Sequence, residues 1–90
     1  RLHQNFPNPF NPSTDIAYTL SRNAHVEIRI FNIQGRLISA PVDEFQTAGR
    51  QLARWHGTDV SGSPVSSGTY YYQLYVDGTP VDTRAMLLLK

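Results

Sequence analysis

The run Ser67-Gly68-Thr69-Tyr70-Tyr71-Tyr72-Gln73-Leu74-Tyr75-Val76 is the longest stretch of strand-forming residues in the chain, and its reading decides the fold. Aromatic and β-branched side chains suit a pleated, half-buried surface, and side chains alternate faces along a strand. Tyr70, Tyr72, Leu74 and Val76 therefore share one face, expected to point to the core, and Thr69, Tyr71, Gln73 and Tyr75 share the other. From Tyr70 to Val76, at about 3.3 Å per residue, the strand covers about 23 Å, enough to cross a small sandwich. The residues before it must cover Tyr70 and Tyr72, and those after it are a candidate partner strand.

Directly after Val76 stands Asp77-Gly78, the two-residue hairpin signal whose positive φ angles match strand twist, so Thr79 to Leu89 should return antiparallel. A strict two-residue turn pairs Leu74 with Val81 and Tyr72 with Thr83 and turns Ala85, Leu87 and Leu89 inward. A bulge turns Met86 and Leu88 inward instead. Both registers are open at this level.

Upstream, Asp15 to Leu20 alternates with Ile16, Tyr18 and Leu20 on one side, and His25 to Ile30 places Val26, Ile28 and Ile30 inward. Asn32-Ile33-Gln34-Gly35 suits a type I turn closed by a left-handed glycine, leading into a hairpin strand from Arg36 to Ser39. Pro41 to Thr47 reads as irregular, with Phe45 tucked under the loop. Arg50 to Trp55 is a strand with Gln51, Ala53 and Trp55 on one face. Asp59 to Gly62 repeats the Asx-x-x-Gly chemistry inside a structured loop. The opening, Asn5 to Thr14, holds Pro7, Pro9 and Pro12, which exclude helix. Phe6 and Phe10 are both expected to pin this segment onto the body, since a linker has no reason to carry them. Six or seven short strands without helical periodicity make an all-β, antiparallel sandwich of immunoglobulin or fibronectin III kind, one domain over residues 1–90 with residues 1–14 packed on it.

Ninety residues with a formal charge of +1, from eight Lys and Arg against seven Asp and Glu, offer no basic stripe for phosphates. Nucleic acid is not an expected partner. There is no cysteine, so disulfides and thiolate metal sites are excluded. No apolar run approaches the roughly 20 residues of a membrane helix, and a spanning segment is not expected. A start at Arg1, without Met or a signal stretch, reads as a piece of a longer precursor. A chain this short buries only about 60 to 65% of its unfolded surface, so few large apolar groups can be spared for a ligand. His3, His25 and His56 lie on a tail, a loop exit and a turn with no acid at triad spacing, and no enzyme activity is expected. Asp59, Asp77 and Asp82 could offer oxygens to calcium, but Asp59 and Asp77 are explained by turn geometry, and no cofactor or metal is expected. Trp55, Tyr71 and Tyr75 could make an aromatic platform, so an accessory carbohydrate-binding module is one alternative; a passive Ig-like spacer is another.

Three stretches carry a family resemblance: Phe6 to Thr14; Trp55-His56-Gly57-Thr58-Asp59 through Gly62, Pro64, Val65 and Ser67 to Tyr72; and Met86-Leu87-Leu88-Leu89-Lys90. With the hairpin Phe31 to Arg36 they resemble, over nearly the whole chain, the type A C-terminal sorting domain of type IX secretion (Por secretion) cargo. They also resemble the Ig-like domain of flagellar hook-capping proteins. His56 stands where the sorting family usually has Asp or Asn, and Ala85 where it often has Lys. The resemblance implies a sorting and anchoring signal that directs a preceding secreted cargo, often a hydrolase, peptidase or adhesin, through the outer-membrane translocon. The cargo passes through the periplasm and ends at the cell surface or outside the cell. The implied partners are that translocon and a sortase-like surface peptidase. Gly68, Tyr70, Tyr72, Met86, Leu87, Leu88, Leu89 and Lys90 fall on its recognition motifs, with Phe6, Phe10, Trp55, Gly35 and Gly62 structural. The tail is expected to be an edge strand whose unpaired backbone groups a translocon subunit could meet by strand addition.

Overall fold

A computed structural model describes all residues, 1–90. Six antiparallel strands form two sheets and no helix: β1 Thr14–Leu20, β2 Ala24–Asn32, β3 Leu37–Gln46, β4 Gly49–Trp55, β5 Gly68–Val76 and β6 Thr79–Leu88. β1 pairs with β4, and the larger sheet runs β3-β2-β5-β6. β5 is central, as its aromatic and β-branched composition demands. Its inward residues Tyr70, Tyr72 and Leu74 join Val26, Ile28 and Ile30 of β2, and Ile16, Tyr18 and Leu20 of β1 close the core from the other layer.

Asp77 and Gly78 turn β5 into β6 with φ of 50° and 80°, the left-handed pair that a two-residue hairpin needs. Asp77 stays in place because its carboxylate accepts from the His25 N–H and from the Arg22 side chain, and these partners hold its pKa below the usual carboxylate value. The register beyond the turn shifts by one residue, since Leu74 lies opposite Asp82 and Tyr75 opposite Pro80. That bulge at Val81 puts Met86 and Leu88 in the core, the second of the two registers open in the sequence.

Two expectations are corrected. The stretch Pro41 to Gln46 is strand, not irregular loop, because β3 is an edge strand and two register shifts absorb Pro41 and an extra residue at Ile38. Phe45 is not tucked under a loop; it stands opposite His25 with its ring 67% exposed.

Candidate recognition surface

Residues 1–13 form a strap along one side of the sandwich. Its first half runs beside β1, where Phe6 and Asp15 exchange both backbone hydrogen bonds and the His3 N–H donates to the Ala17 carbonyl. Its second half crosses to β6. The Phe10 N–H donates to the Leu87 carbonyl and the Leu89 N–H to the Phe10 carbonyl, each at 3.0 Å. The Leu87 N–H donates to Asn8 Oδ1 at 3.0 Å, and Gln4 Nε2 donates to the Ala85 carbonyl at 2.8 Å. The outer edge of β6 is therefore occupied, which overturns the expectation that its backbone is open to strand addition. Arg84, which reaches the Leu2 carbonyl at 2.9 Å, adds to the seam.

A buried polar knot holds the strap. Asn5 donates from its backbone N–H to the Tyr72 hydroxyl at 2.8 Å, and that hydroxyl donates on to the His3 carbonyl at 2.7 Å. Asn5 Nδ2 also reaches Thr14 Oγ1 at 2.9 Å, and Thr14 donates to the Pro7 carbonyl. Burial pushes the Tyr72 phenol up to about 12. No buried side-chain nitrogen or oxygen is left without a partner, so the knot does not pay the penalty of an unsatisfied polar group. Asn5 and Thr14 escaped the sequence reading because a buried amide and hydroxyl look like loop residues until their partners are known.

Of the two rings expected to pin the strap, Phe10 does so and Phe6 does not. Phe10 is buried and lies 5.7 Å from Trp55, which meets Tyr70 edge-on at 5.3 Å. Phe6 is 78% exposed, because its backbone pairing with Asp15 turns the ring to solvent. Trp55 donates to the Thr58 carbonyl at 2.9 Å and Tyr70 to the Ser66 carbonyl at 2.7 Å, so the loop after β4 is fixed to the aromatic cluster. At Gly57 a Cβ would sit 2.9 Å from the Pro12 carbonyl, at a φ of +70°, so only glycine lets strap and loop meet there. The proline-rich opening, the Trp55 block and the tail converge at one end of the molecule.

The residues carrying the recognition motifs divide by burial. Tyr70, Tyr72, Met86 and Leu88 are core side chains, whereas Gly68, Leu87, Leu89 and Lys90 lie at or near the surface. The Lys90 N–H donates to Ser67 Oγ, fastening the tail beside the start of β5. Gly35 and Gly62 close two loops built alike. In each, the Asx residue accepts from the glycine N–H on its carbonyl and from two further backbone N–H groups on Oδ1. Each loop also shows one aliphatic side chain to solvent, Ile33 and Val60. Between the loops lie two shallow clefts of about 420 and 320 Å³ that share Asn32, Ile38 and Val65.

The rival sites do not assemble. Trp55 is buried, and the Arg29 guanidinium covers the Tyr75 ring at 4.0 Å, so the expected aromatic platform reduces to Tyr71 alone. Asp59 is engaged with Ser61 and Ser63, and Asp77 with Arg22 and His25. His25, Glu27 and Asp43 do approach one another, but Glu27 grips Arg29 with both oxygens and Asp43 bonds His25 at 2.6 Å, so these oxygens already have protein partners. Ser13 Oγ and His56 Nδ1 are 3.2 Å apart, with His56 exposed.

The model of the FlgD Ig-like domain family matches residues 11–79. The chain belongs to that family. No curated protein matches this FlgD Ig-like domain. Among solved structures it is similar to dimeric latent PorU from Porphyromonas gingivalis, with a TM-score of 0.83 at 19% identity over 98% of the chain. It is similar to FlgD from P. aeruginosa, with a TM-score of 0.68 at 22% identity over 83% of the chain. It is also similar to PorZ of P. gingivalis, an essential bacterial surface component of the type-IX secretion system, with a TM-score of 0.67 at 17% identity over 99% of the chain. The domain spans 9% of the PorU chain, 60% of FlgD and 11% of PorZ. At these identities the likeness shows the fold.

Proposed function

We propose that this FlgD Ig-like domain is a sorting and anchoring signal of type IX secretion, without catalytic activity of its own. Attached behind a cargo such as a hydrolase, peptidase or adhesin, it directs that cargo through the outer-membrane translocon, after which a sortase-like peptidase acts at the cell surface. The observation that carries this reading is that the structure joins the strap to β6. Both lie at or beyond the limits of the family match at residues 11–79, and the likeness to a domain of PorZ, a type-IX secretion component, takes in both. Those parts also carry two of the three stretches that resemble the sorting family, and the structure joins them through Asn8, Phe10 and Leu87. Within the motif, Tyr70, Tyr72, Met86 and Leu88 act by shaping the rigid body, and Gly68, Leu87, Leu89 and Lys90 are left to touch the translocon.

The test is a fusion of residues 1–90 behind a periplasmic reporter in a cell with a working type IX system. The expected outcome is reporter at the cell surface or in the medium, and its retention in the periplasm of that cell would sink the reading.

A further inference from the structure

The outer face of the four-stranded sheet is split along its length. Towards the β5–β6 turn it carries charge: His25 on Asp43, Arg29 on Glu27, and Tyr75 under Arg29. Towards the Lys90 end it carries none. Register places Leu37, Phe31, Tyr71 and Ala85 side by side, one from each strand, as a single cross-strand row. Thr69 and Leu87 form the next pair, and Leu89 directly follows the last residue of β6. Leu37 is 49% exposed, Tyr71 40% and Leu89 50%, so the band is open to solvent rather than closed by the strap, which holds only the sheet's edge. Four strands about 4.8 Å apart make it roughly 15 Å wide. In a chain so short, leaving that much apolar surface outside is a cost that a binding partner would offset.

We infer that this band is a protein-docking surface, and that its partner offers an apolar strip flanked by carboxylates. The inference rests on the export reading and names the surface the translocon would meet. Charge argues for that partner. Arg36 directly precedes Leu37, the first residue of β3, and Lys90 directly follows Leu89 beyond the end of β6, and neither takes part in an ion pair. A second copy applied to the same band would bring cations towards cations. Around Tyr71 stand Phe31 and Ala85, with Thr69 and Gln73 on the same strand face. Gln73 Oε1 already accepts from the Tyr75 hydroxyl at 2.7 Å, so a sugar would not find the set of free polar side chains that its hydroxyls require.

In the reporter fusion, Tyr71→Glu places a charge at the centre of the band and is expected to lower export about tenfold or more. Charge reversal at the border, in the double variant Arg36→Glu with Lys90→Glu, should lower it less. Val81→Glu, at an equally exposed apolar position on the far end of β6, should export like wild type. Purified variants are compared by thermal unfolding, and if Tyr71→Glu does not fold, Leu89→Glu replaces it. Wild-type export with undiminished export of the folded band variants overturns the inference and leaves the export reading standing. Retention of the wild type ends both. Equal loss in Val81→Glu overturns the inference, since any added charge would then stop transit. A wild-type dimer in sedimentation that Tyr71→Glu dissolves also overturns it, by showing the occupant to be a second copy.

Discussion

The two edges of the four-stranded sheet solve one problem by different means. β3 protects itself: it is kinked by two register shifts, Pro41 removes a donor, Asp43 and Glu44 are exposed, and no backbone group of Leu37–Gln46 bonds outside the ladder with β2. β6 carries none of these devices over Ala85 to Leu88, where its register with β5 is unbroken and its sequence apolar. Its guard is borrowed from the strap, through Gln4, Asn8 and Phe10. An edge protected by its own residues survives locally, whereas one protected by a distant segment depends on everything that holds that segment down.

Breaking the borrowed guard should have the largest effect. Phe10→Ala removes a buried ring from beside Trp55 and should cost about 3 to 5 kcal/mol, read as a lower urea midpoint, with aggregation through the freed β6 edge. If Phe10→Ala leaves stability unchanged, the strap is not what secures β6. Tyr72→Phe leaves the Asn5 N–H and the His3 carbonyl without their hydroxyl and should cost about 1 to 3 kcal/mol.

The same hydroxyl gives a pH signature. Its folded pKa is raised from 10.0 to about 12, so its contribution is complete below the ordinary tyrosine value and fades as pH climbs towards the raised one. Wild type should lose stability between those limits, measured by denaturant unfolding, and Tyr72→Phe should show a shallower alkaline loss. At β3, Pro41→Thr should move stability by less than about 1 kcal/mol while raising the aggregation rate in light scattering, because it restores a donor to an open edge. Smallest of all, Phe6→Ala should fall within about 0.5 kcal/mol of wild type, since its ring is outside. A large effect there would restore Phe6 as an anchor.

Alternation along β1, β2 and β5 was legible because each strand has one buried face and its period is two. Val26, Ile28, Ile30, Tyr70, Tyr72 and Leu74 are all inside as their spacing implies. Both Asx-x-x-Gly loops were legible too, since that chemistry is local. The strap was legible as extended, through its prolines, but not in which ring points in. Burial of Phe10 rather than Phe6 depends on which backbone groups meet Asp15 and Leu87, residues distant along the chain. The recognition motif was visible as a string of residues, while its division into core and surface was not.

By itself the sequence determined an all-β sandwich built on Gly68–Val76, with strand faces and tight turns dictated by side-chain period and backbone sterics. Tertiary structure alone decided the bulge that turns Met86 and Leu88 inward, the strap that closes the β6 edge, and the gathering of Leu37, Phe31, Tyr71 and Ala85 into one exposed row. The reason is physical: periodicity and turn sterics act between neighbours in the chain, whereas register, edge protection and surface patches are set by contacts between segments tens of residues apart.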